Sequence, residues 1–241
     1  MTLKLPRRFR RKQFGYLSLT HMCGFGGRRS GAVAAGKVLT YKGTSYDATN
    51  ITNPTTYTFS TLDFGTASAD RVVHAVVAIR LASSGIAITV TIGGVAATQN
   101  VNLESSKWYG GVYSAVVPSG TTGDIVVTCA ANATACAVTW YASTGLSSAI
   151  AVSTVTGNAN DAHILTTVAG GFFIAGNFNQ NTRTTTWTNA TEDVDDTSHA
   201  GAGEIVAYAM AHDATVGASV TITDTLSGTP GTSNGFVAAS F

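Results

Sequence analysis

Hydrophobic and polar positions alternate with a period of two along most of the chain from Tyr57 onward. Short runs rich in Val, Ile, Thr and aromatic residues are separated by clusters of Gly, Asn, Asp, Ser and Thr, which is typical of half-buried β-strands joined by turns. We predict strands near 57–63, 71–81, 86–93, 95–102, 108–117, 124–130, 135–142, 148–155, 163–169, 171–178, 183–189, 203–211, 218–224 and 235–241. No helical period separates them, so the pattern predicts an all-β chain arranged as an antiparallel, jelly-roll-like β-sandwich.

The register of one strand pair can be predicted from the sequence. Alternate residues are apolar in two neighbouring strands, Ile125, Val127 and Cys129 in the first and Cys136, Val138 and Trp140 in the second. Joined as a hairpin, these strands would place Cys129 opposite Cys136 and all six side chains on one buried face. The two cysteines could then form a cross-strand disulfide or remain buried thiols.

The strand pattern also recurs within the chain at an offset of about 95 residues. Val76-Val77 matches Phe172-Phe173, Ile92 matches Trp187, Tyr113 matches Tyr208, and the segment 125–128 matches 220–223. We therefore predict pseudo-repeats at about 57–150 and 151–241, which could be two similar small sandwiches or one jelly roll whose halves interleave. No Pro-rich or charged linker divides them near residue 150, so we expect a single domain over 47–241.

The composition agrees with this fold class. Hydrophobic residues make up 44% of the 241 residues and charged residues only 11%, which excludes a disordered polymer and disfavours a helical bundle. The longest apolar runs, at 72–81 and 171–176, are far shorter than the roughly 20 residues of a membrane helix. No membrane partner is therefore expected.

Charge is distributed very unevenly along the chain. Residues 1–46 contain ten of the 14 basic residues and no acidic residue, whereas the remainder contains four basic residues and all 13 acidic ones. We predict that 1–46 is an extended arm that binds an anionic surface, and that 47–241 is an acidic body. The arm lacks the continuous apolar core of a secretory signal. Its candidate partner-binding residues are Arg7, Arg8, Arg10, Arg11, Lys12, Arg28 and Arg29.

Candidate chemistry in the body is sparse. The run from Glu192 to Asp196 could bind a hard cation through Asp193, Asp195 and Asp196, or could be a solvated loop or a docking surface for the basic arm of a neighbour. His74 alternates with core positions, which indicates a hydrogen-bonded core or interface histidine. His163 and His212 lie near strand ends and have no zinc-ligand spacing. Catalytic nucleophile and phosphate-loop motifs are not found, so we expect neither enzymatic activity nor a cofactor.

Cys23 is the third cysteine and lies in the basic arm. It could form an intermolecular disulfide, because neighbouring guanidinium groups favour its thiolate, or it could remain a free thiol. Among the aromatic residues, Trp140 is assigned to the core and Tyr141 consequently to the outside. Outward-facing Tyr141 and Trp187 could stack on sugar rings, although core packing is the favoured interpretation for Trp187.

Four segments resemble the β-sandwich structural proteins of tailed bacteriophages and prophages. They are Phe59-Ser-Thr-Leu-Asp-Phe-Gly65, Arg71-Val-Val-His-Ala-Val-Val77, Val90-Thr-Ile-Gly-Gly-Val-Ala-Ala-Thr98 and the segment from Tyr113 to Thr128. The resemblance covers roughly residues 57–145 and is weaker beyond. It implies a virion protein, either a capsid decoration or head-fibre protein or a neck or tail accessory protein. These segments are strand and turn patterns, so no functional residue is transferred from that family.

The resemblance and the charge pattern together give a functional hypothesis. Residues 1–46 would anchor the protein to capsid, neck or tail subunits, or to an adjacent copy, while the β-sandwich projects from the particle. Such proteins are typically symmetric homo-oligomers, trimers among them, located in the virion and in the host cytoplasm during assembly. Two alternatives remain open. A glycan- or receptor-binding module would use Tyr141 and Trp187, and nucleic-acid binding would use Arg7 to Lys12 but is opposed by the acidic body.

Overall fold

The computed structural model describes residues 36–47, 55–197, 207–215 and 217–241, and all regular elements in these ranges are β-strands. The first half contains β1 (Val38–Asp47), β2 (Thr56–Asp63), β3 (Val72–Leu81), β4 (Ile88–Ile92), β5 (Val95–Ala96), β6 (Thr98–Ser105), β7 (Trp108–Val116), β8 (Thr122–Cys129) and β9 (Ala133–Thr144). The second half contains β10 (Ser153–Gly157), β11 (Ala162–Thr166), β12 (Phe172–Asn179), β13 (Thr185–Thr188), β14 (Thr191–Asp196), β15 (Ala207–Ala214), β16 (Ser219–Leu226) and β17 (Asn234–Ser240).

The predicted all-β, antiparallel fold class is confirmed. Every strand pairing is antiparallel, and the strands form four sheets. Sheet A has the order β1-β9-β3-β7-β6 and sheet B the order β2-β8-β4-β5; sheet C has the order β10-β17-β12-β15-β14 and sheet D the order β11-β16-β13. Within the described ranges, no helix is long and apolar enough to cross a membrane.

The two halves of the chain share one strand order. Apart from the two-residue strand β5, each strand of sheets A and B has a counterpart at the same position in sheets C and D. The repeated pattern in the sequence therefore corresponds to a repeated topology, and the first repeat begins at β1 rather than near residue 57. One predicted match is wrong: Tyr113 belongs to the core between sheets A and B, whereas Tyr208 faces the other half of the chain.

Each half contains its own apolar core. Between sheets A and B, Phe59, Ile79, Ile92, Ile125 and Val138 are among the buried residues. Between sheets C and D, the core is smaller and includes Leu165, Phe173, Ile222 and Phe236. Alternate residues of each strand enter these cores, so each half resembles a β-sandwich.

A third core joins the two halves. Val76, Val112 and Tyr141 of sheet A pack with residues of sheet C that include Phe178 and Met210. The layers therefore follow the order B, A, C, D, and the two middle sheets are covered on both faces. This explains why β3 and β12 are mostly apolar and buried at nearly every position instead of at alternate ones, since both faces of these strands are covered.

Sheets A and C pack so that edge strands of one half lie beside strands of the other half. Strand β6 contacts β10 and β17 across the layer, whereas β1 meets sheet C near β14 and β15, where Thr44 lies 3.4 Å from the Tyr208 hydroxyl. The first strand of each half therefore lies beside the fifth sheet position of the other half. This reciprocal arrangement is that of an isologous contact between two similar units.

The predicted hairpin of Cys129 and Cys136 is wrong. Strand β8 pairs with β2 and β4 in sheet B, whereas β9 pairs with β1 and β3 in sheet A. The six apolar side chains do share one core, but they enter it from two facing sheets. Alternation shows only which face of a strand is buried, and it does not distinguish a neighbour in the same sheet from one across the core. Both cysteines are buried free thiols.

Two strands, β1 and β14, were not predicted from the sequence. Strand β1 covers nine of the residues predicted as extended arm, and it pairs with β9 along its length. The boundary predicted at 46/47 is therefore wrong, and the compact unit that contains all the strands begins at Ala35. Strand β14 replaces the predicted acidic loop; its alternation was hidden because four of its six residues are acidic.

Candidate functional site

The acidic run lies on an edge strand where the two halves of the chain meet. Strand β14 is the last strand of sheet C, and it has a bulge between Glu192 and Val194. The bulge bends the strand and changes the direction of its side chains, so neighbouring carboxylates face different partners. We call the contacts of β14 and β15 with β1 and β9 the acidic seam.

Asp193 connects the two halves within the acidic seam. Its Oδ2 accepts a hydrogen bond from the Tyr141 hydroxyl at 2.8 Å and lies 2.6 Å from His212 Nδ1. Tyr141 comes from β9 in the first half, whereas Asp193 and His212 come from the second. The Asp193 side chain is only 6% exposed and that of His212 is 24% exposed. The carboxylate therefore acts as a shared acceptor inside the contact rather than as a free surface charge.

The other two predicted metal ligands also bind protein groups. Asp196 Oδ2 accepts a hydrogen bond from the Tyr208 hydroxyl at 3.2 Å, and Asp195 Oδ2 accepts one from the Thr185 amide at 2.9 Å. Burial raises the pKa of Asp195, and the negative charge of Asp196 raises it further. In the described ranges, no three His, Cys, Asp or Glu side chains are placed to hold a metal ion. The three carboxylates that the sequence grouped as one candidate cation site therefore bind different protein groups.

The aromatic residues of the seam are held in an uncharged form. The Tyr141 ring packs edge-on against Tyr41 and His212 at 5.7 Å in each case. Burial is the largest cause that raises the pKa of Tyr141 well above its usual range, and the Asp193 charge adds to it. The prediction that Tyr141 points outward is wrong, because the outer face of sheet A is covered by sheet C.

The tryptophans are also buried or half-buried, including Trp187, which the sequence suggested as a glycan-binding residue. Trp187 is half-buried and packs against the core between sheets C and D, where its ring lies 6.2 Å from that of Phe236. Trp140 belongs to the core, as predicted, and its Nε1 donates to Asp63 O at 2.9 Å. None of the aromatic side chains described by the structure is fully exposed.

His74 is a buried histidine at the contact between the halves, which confirms the prediction. Its ring nitrogens bond to Ser114 Oγ at 2.7 Å and Ser143 Oγ at 2.8 Å, and its ring packs against Phe172 and Phe241. Burial lowers its pKa to about 3. The imidazole is therefore neutral and structural at neutral pH.

A second buried polar pair was not found from the sequence. His163 is the second residue of β11, near the strand end as predicted, and its ring stacks on Phe236 at 3.8 Å. Its Nε2 lies 3.5 Å from Asp224 Oδ1, and Asp224 Oδ2 accepts a hydrogen bond from Asn177 at 3.1 Å. Burial raises the pKa of Asp224. Since both partners are almost fully enclosed, this pair orders the core between sheets C and D.

Arg71 is a further buried charge that the sequence did not single out. Its guanidinium donates to the carbonyl oxygens of Val117, Gly65, Ser119 and Gly120 at 2.8 Å each, and to Phe64 O at 3.4 Å. The side chain therefore holds two loops at one end of the first half. A cleft of about 270 Å³ adjoins it, but the donors of Arg71 are already used by the carbonyls.

The two buried thiols have no reactive environment. Burial raises the pKa of Cys129 to about 11 and that of Cys136 well above its usual range. A protonated thiol is a poor nucleophile and a poor metal ligand. Cys23 and the predicted partner-binding residues of the arm, Arg7, Arg8, Arg10, Arg11, Lys12, Arg28 and Arg29, lie outside the described residues.

Comparison of the chain with protein-family models, with curated proteins and with solved structures finds no match. The charge distribution and the geometry of the described residues are therefore the observations from which a function can be proposed.

Proposed function

We propose that this protein is a non-enzymatic structural component of a bacteriophage particle, attached through its basic N-terminal segment to capsid, neck or tail subunits. The observation that carries the proposal is charge separation. Residues 1–34 contain eight basic residues and no acidic one, whereas the compact unit from Ala35 contains six basic and 13 acidic residues. A basic segment joined to an acidic body is suited to binding an anionic surface while the body is kept apart from it.

The architecture of the body supports a projecting structural module. Four stacked sheets with three continuous cores make a body whose middle layers are covered on both faces. The titratable groups inside it, such as His74 and Asp224, are enclosed and form hydrogen bonds with nearby hydroxyl or amide groups. The buried polar groups therefore have a structural role in ordering the core.

Each half is further proposed to be a jelly roll. In support, the first strand of each half pairs with the last strand, and successive strands of the first half alternate between the two sheets from β1 to β4. Two interleaved Greek keys produce this order. A two-jelly-roll body is compatible with a capsid decoration or fibre protein and with a neck or tail accessory protein.

The experiment is an incorporation assay with particles from the source culture. A chain that begins at Ala35 and a full-length chain with Arg7, Arg8, Arg10 and Arg11 changed to Gln are each supplied in place of the parent. We expect both to be folded by circular dichroism and to be depleted from purified particles, as measured by quantitative mass spectrometry. Lys107→Gln, which removes an exposed charge from the body, is the matched control and should be incorporated normally.

Two results would contradict the proposal. The parent protein could be missing from purified particles, or the chain that begins at Ala35 could be incorporated as well as the parent. If neither result is obtained, a reconstruction of the particle would give the attachment site, the copy number and the symmetry of the proposed homo-oligomer. The glycan-binding alternative gains no support from the described aromatic residues, since Tyr141 is buried and Trp187 is half-buried.

A further inference from the structure

Two edge strands lack the features that usually prevent further strand pairing. Strands β1, β2, β6 and β14 are edges with a bulge, and β5 and β13 are edges of only two and four residues. The remaining edges, β10 and β11, each pair regularly over five residues and contain no charged residue and no proline. Since bulges, charges and short length protect an edge, β10 and β11 are the least protected edges among the described strands.

Strands β10 and β11 lie on the same side of the second half of the chain. β10 ends sheet C and β11 ends sheet D, and the two strands contact each other. Four residues connect them, and a Cβ at Gly157 would collide with the His163 ring. The end of β10 is therefore level with the start of β11, so the middle residues, Val155 and Ile164, lie within about one residue of the same height. We call this pair of edges the β10/β11 side.

The β10/β11 side also carries the two most exposed aliphatic side chains among the described residues. Ile164, at the middle of β11, is 69% exposed, and Ile150, just before β10, is 66% exposed. Val152, also just before β10, is 54% exposed. Clustered aliphatic side chains beside two uncharged edges are typical of a surface that another protein covers.

We propose that the β10/β11 side is the interface of a two-fold symmetric homodimer, in which β10 pairs with β10 and β11 with β11 of a second copy. A two-fold axis normal to the sheets reverses the strand direction, so each edge strand meets its own copy in the antiparallel orientation. Because the middle residues of β10 and β11 lie at nearly the same height, a single axis near Ile164 serves both sheets. Sheets C and D, of five and three strands, would each be doubled.

A second copy fits the β10/β11 side better than another surface of this protein does. A partner that continues both sheets needs two regular edges, about 10 Å apart and with the same offset. Among the described strands, only β10 and β11 form such a pair, because the edges stacked on each other elsewhere contain a bulge or are very short. The complementary surface is therefore the same side of another copy.

The charge distribution also permits this contact. The compact unit from Ala35 has six basic and 13 acidic residues, so its copies repel one another on average, whereas β10 and β11 are uncharged. Asp161, in the connection between the strands, is exposed. Antiparallel pairing about Ile164 would keep the two copies of Asp161 roughly 20 Å apart, beyond the range of strong repulsion at physiological salt.

The size of the contact predicts a reversible dimer. The two five-residue strands and the flanking Ile150 and Val152 supply fewer residues than the roughly 20–30 a side of a stable interface. Dimerisation should therefore depend on protein concentration. The inference goes beyond the proposed particle role and does not rest on it, because it concerns the isolated protein.

Analytical ultracentrifugation of the full-length chain tests the proposal. We expect the parent to change from monomer to dimer as its concentration rises through the micromolar range. Ile164→Lys should weaken dimerisation by about tenfold or more, because the two-fold axis places the two lysines across from each other. Val95→Lys, which changes an exposed valine in the first half, is the matched control and should dimerise like the parent. Circular dichroism verifies that both variants are folded.

A mixture of variants tests the symmetry of the contact. Ile164→Lys and Ile164→Glu should each be mainly monomeric, because each places like charges across the axis. An equimolar mixture of the two should form heterodimers, since opposite charges then face each other. This recovery requires that residue 164 meets residue 164 of the second copy, so it distinguishes the two-fold contact from one between different surfaces.

Hydrogen–deuterium exchange locates the contact on the backbone. In the concentrated parent, the β10 and β11 amides that point away from β17 and β16 should be protected. We expect their exchange to become about tenfold faster, or more, on dilution and in Ile164→Lys. Amides of β12, in the middle of sheet C, should be unaffected and serve as the internal control.

Several results would overturn the proposal. They are a parent that stays monomeric or forms trimers, an Ile164→Lys variant that dimerises like the parent, a mixture of charged variants that stays monomeric, and outward amides whose protection does not change on dilution. The last result would show that the edges are covered within one chain. Because these measurements use the isolated protein, their failure would be distinct from a failure of particle incorporation.

Discussion

Single buried polar residues fix local geometry in this protein. Arg71 and His74 lie close together in sequence at the start of β3, yet they have opposite tasks. Arg71 carries a charge whose donors are satisfied by loop carbonyls, whereas His74 is kept neutral between two serine hydroxyls. In both cases burial is tolerated because each polar group has a partner.

Removal of the Arg71 guanidinium should be strongly destabilising. Arg71→Met would leave the carbonyls of Gly65, Val117, Ser119 and Gly120 without their donor in a partly enclosed site, and we expect a loss of about 3–5 kcal/mol in the free energy of unfolding. Urea denaturation measures it. Lys107→Met, which changes an exposed cation, is the control and should cost under about 0.5 kcal/mol. A similar small cost for both variants would contradict the role given to Arg71.

His74 should make the protein sensitive to mild acid. Its pKa is about 3 when folded and about 6.5 when exposed, so the unfolded chain binds a proton more readily below pH 6.5. The stability that His74 contributes is thus present above pH 6.5 and is lost progressively as the pH falls from 6.5 toward 3. Between pH 7.5 and pH 4.5 we expect a loss of about 3 kcal/mol from this group.

The measurement is the free energy of unfolding across this pH range for the parent and His74→Gln. Glutamine can bond to Ser114 and Ser143 but does not titrate, so the variant should show a shallower decline with falling pH. Equal slopes for the two proteins would show that the acid sensitivity comes from other groups.

At the scale of elements, the edge strands β1 and β14 decide how the halves meet. Strand β1 completes sheet A and supplies Leu39, Tyr41 and Tyr46 to the border of the third core, and β14 supplies the carboxylates of the acidic seam. Neither strand was recognised in the sequence. Both contain charged residues and a bulge, which interrupt the alternation that identifies a strand.

Deletion of β1 should therefore destabilise the body. A chain that begins at Asp47 loses the pairing with β9 and exposes part of the third core, whereas a chain that begins at Ala35 retains both. We expect the first truncation to lower the melting temperature by well over about 5 °C or to prevent folding, and the second to melt near the parent. Thermal unfolding followed by circular dichroism gives the comparison, and equal melting temperatures would refute the role of β1.

The acidic seam should show energetic coupling between the halves. Tyr141→Phe and Asp193→Asn each weaken one hydrogen bond that crosses from β9 to β14, and their effects should be non-additive by about 1–2 kcal/mol. A double-mutant cycle in urea measures the coupling. Tyr57→Phe, which alters a tyrosine in the first core away from the seam, should combine additively with Asp193→Asn.

At the scale of the whole molecule, the close contact of sheets A and C makes four layers into one unit. Small residues allow this approach: a Cβ at Gly110 would lie 2.5 Å from the Phe178 ring, and one at Gly176 would lie 2.8 Å from Val76 Cγ1. Both glycines lie inside strands, where glycine is otherwise unfavourable. Their presence is explained by the packing of one half on the other.

Gly110→Ala should consequently destabilise the protein through the contact between halves. The added methyl group must displace Phe178 or separate the sheets, which we expect to cost about 1–3 kcal/mol. Gly36→Ala has open space around the new methyl group and serves as the control. Guanidinium denaturation compares the two variants. If Gly110→Ala left the free energy of unfolding unchanged, Phe178 or the sheets could shift to accommodate the methyl group at little cost.

The fold class, most strand positions and the recurrence of the pattern could be predicted from the sequence alone. These are local properties: a period of two, β-branched residues and turn residues act within a few positions of one another. The sequence also indicated the burial of His74 and Trp140, because both alternate with apolar neighbours. The charge separation along the chain likewise needs no structure to be seen.

Which strands are neighbours and which faces meet could be seen only in the folded structure. Cys129 and Cys136 enter one core from facing sheets, Tyr141 is covered by the second half, and each of the three β14 carboxylates binds different protein groups. Alternation predicts that a side chain is buried, but it does not specify the surface that buries it. That choice depends on contacts between residues far apart in the chain, whose free energies are set by the packing of whole sheets.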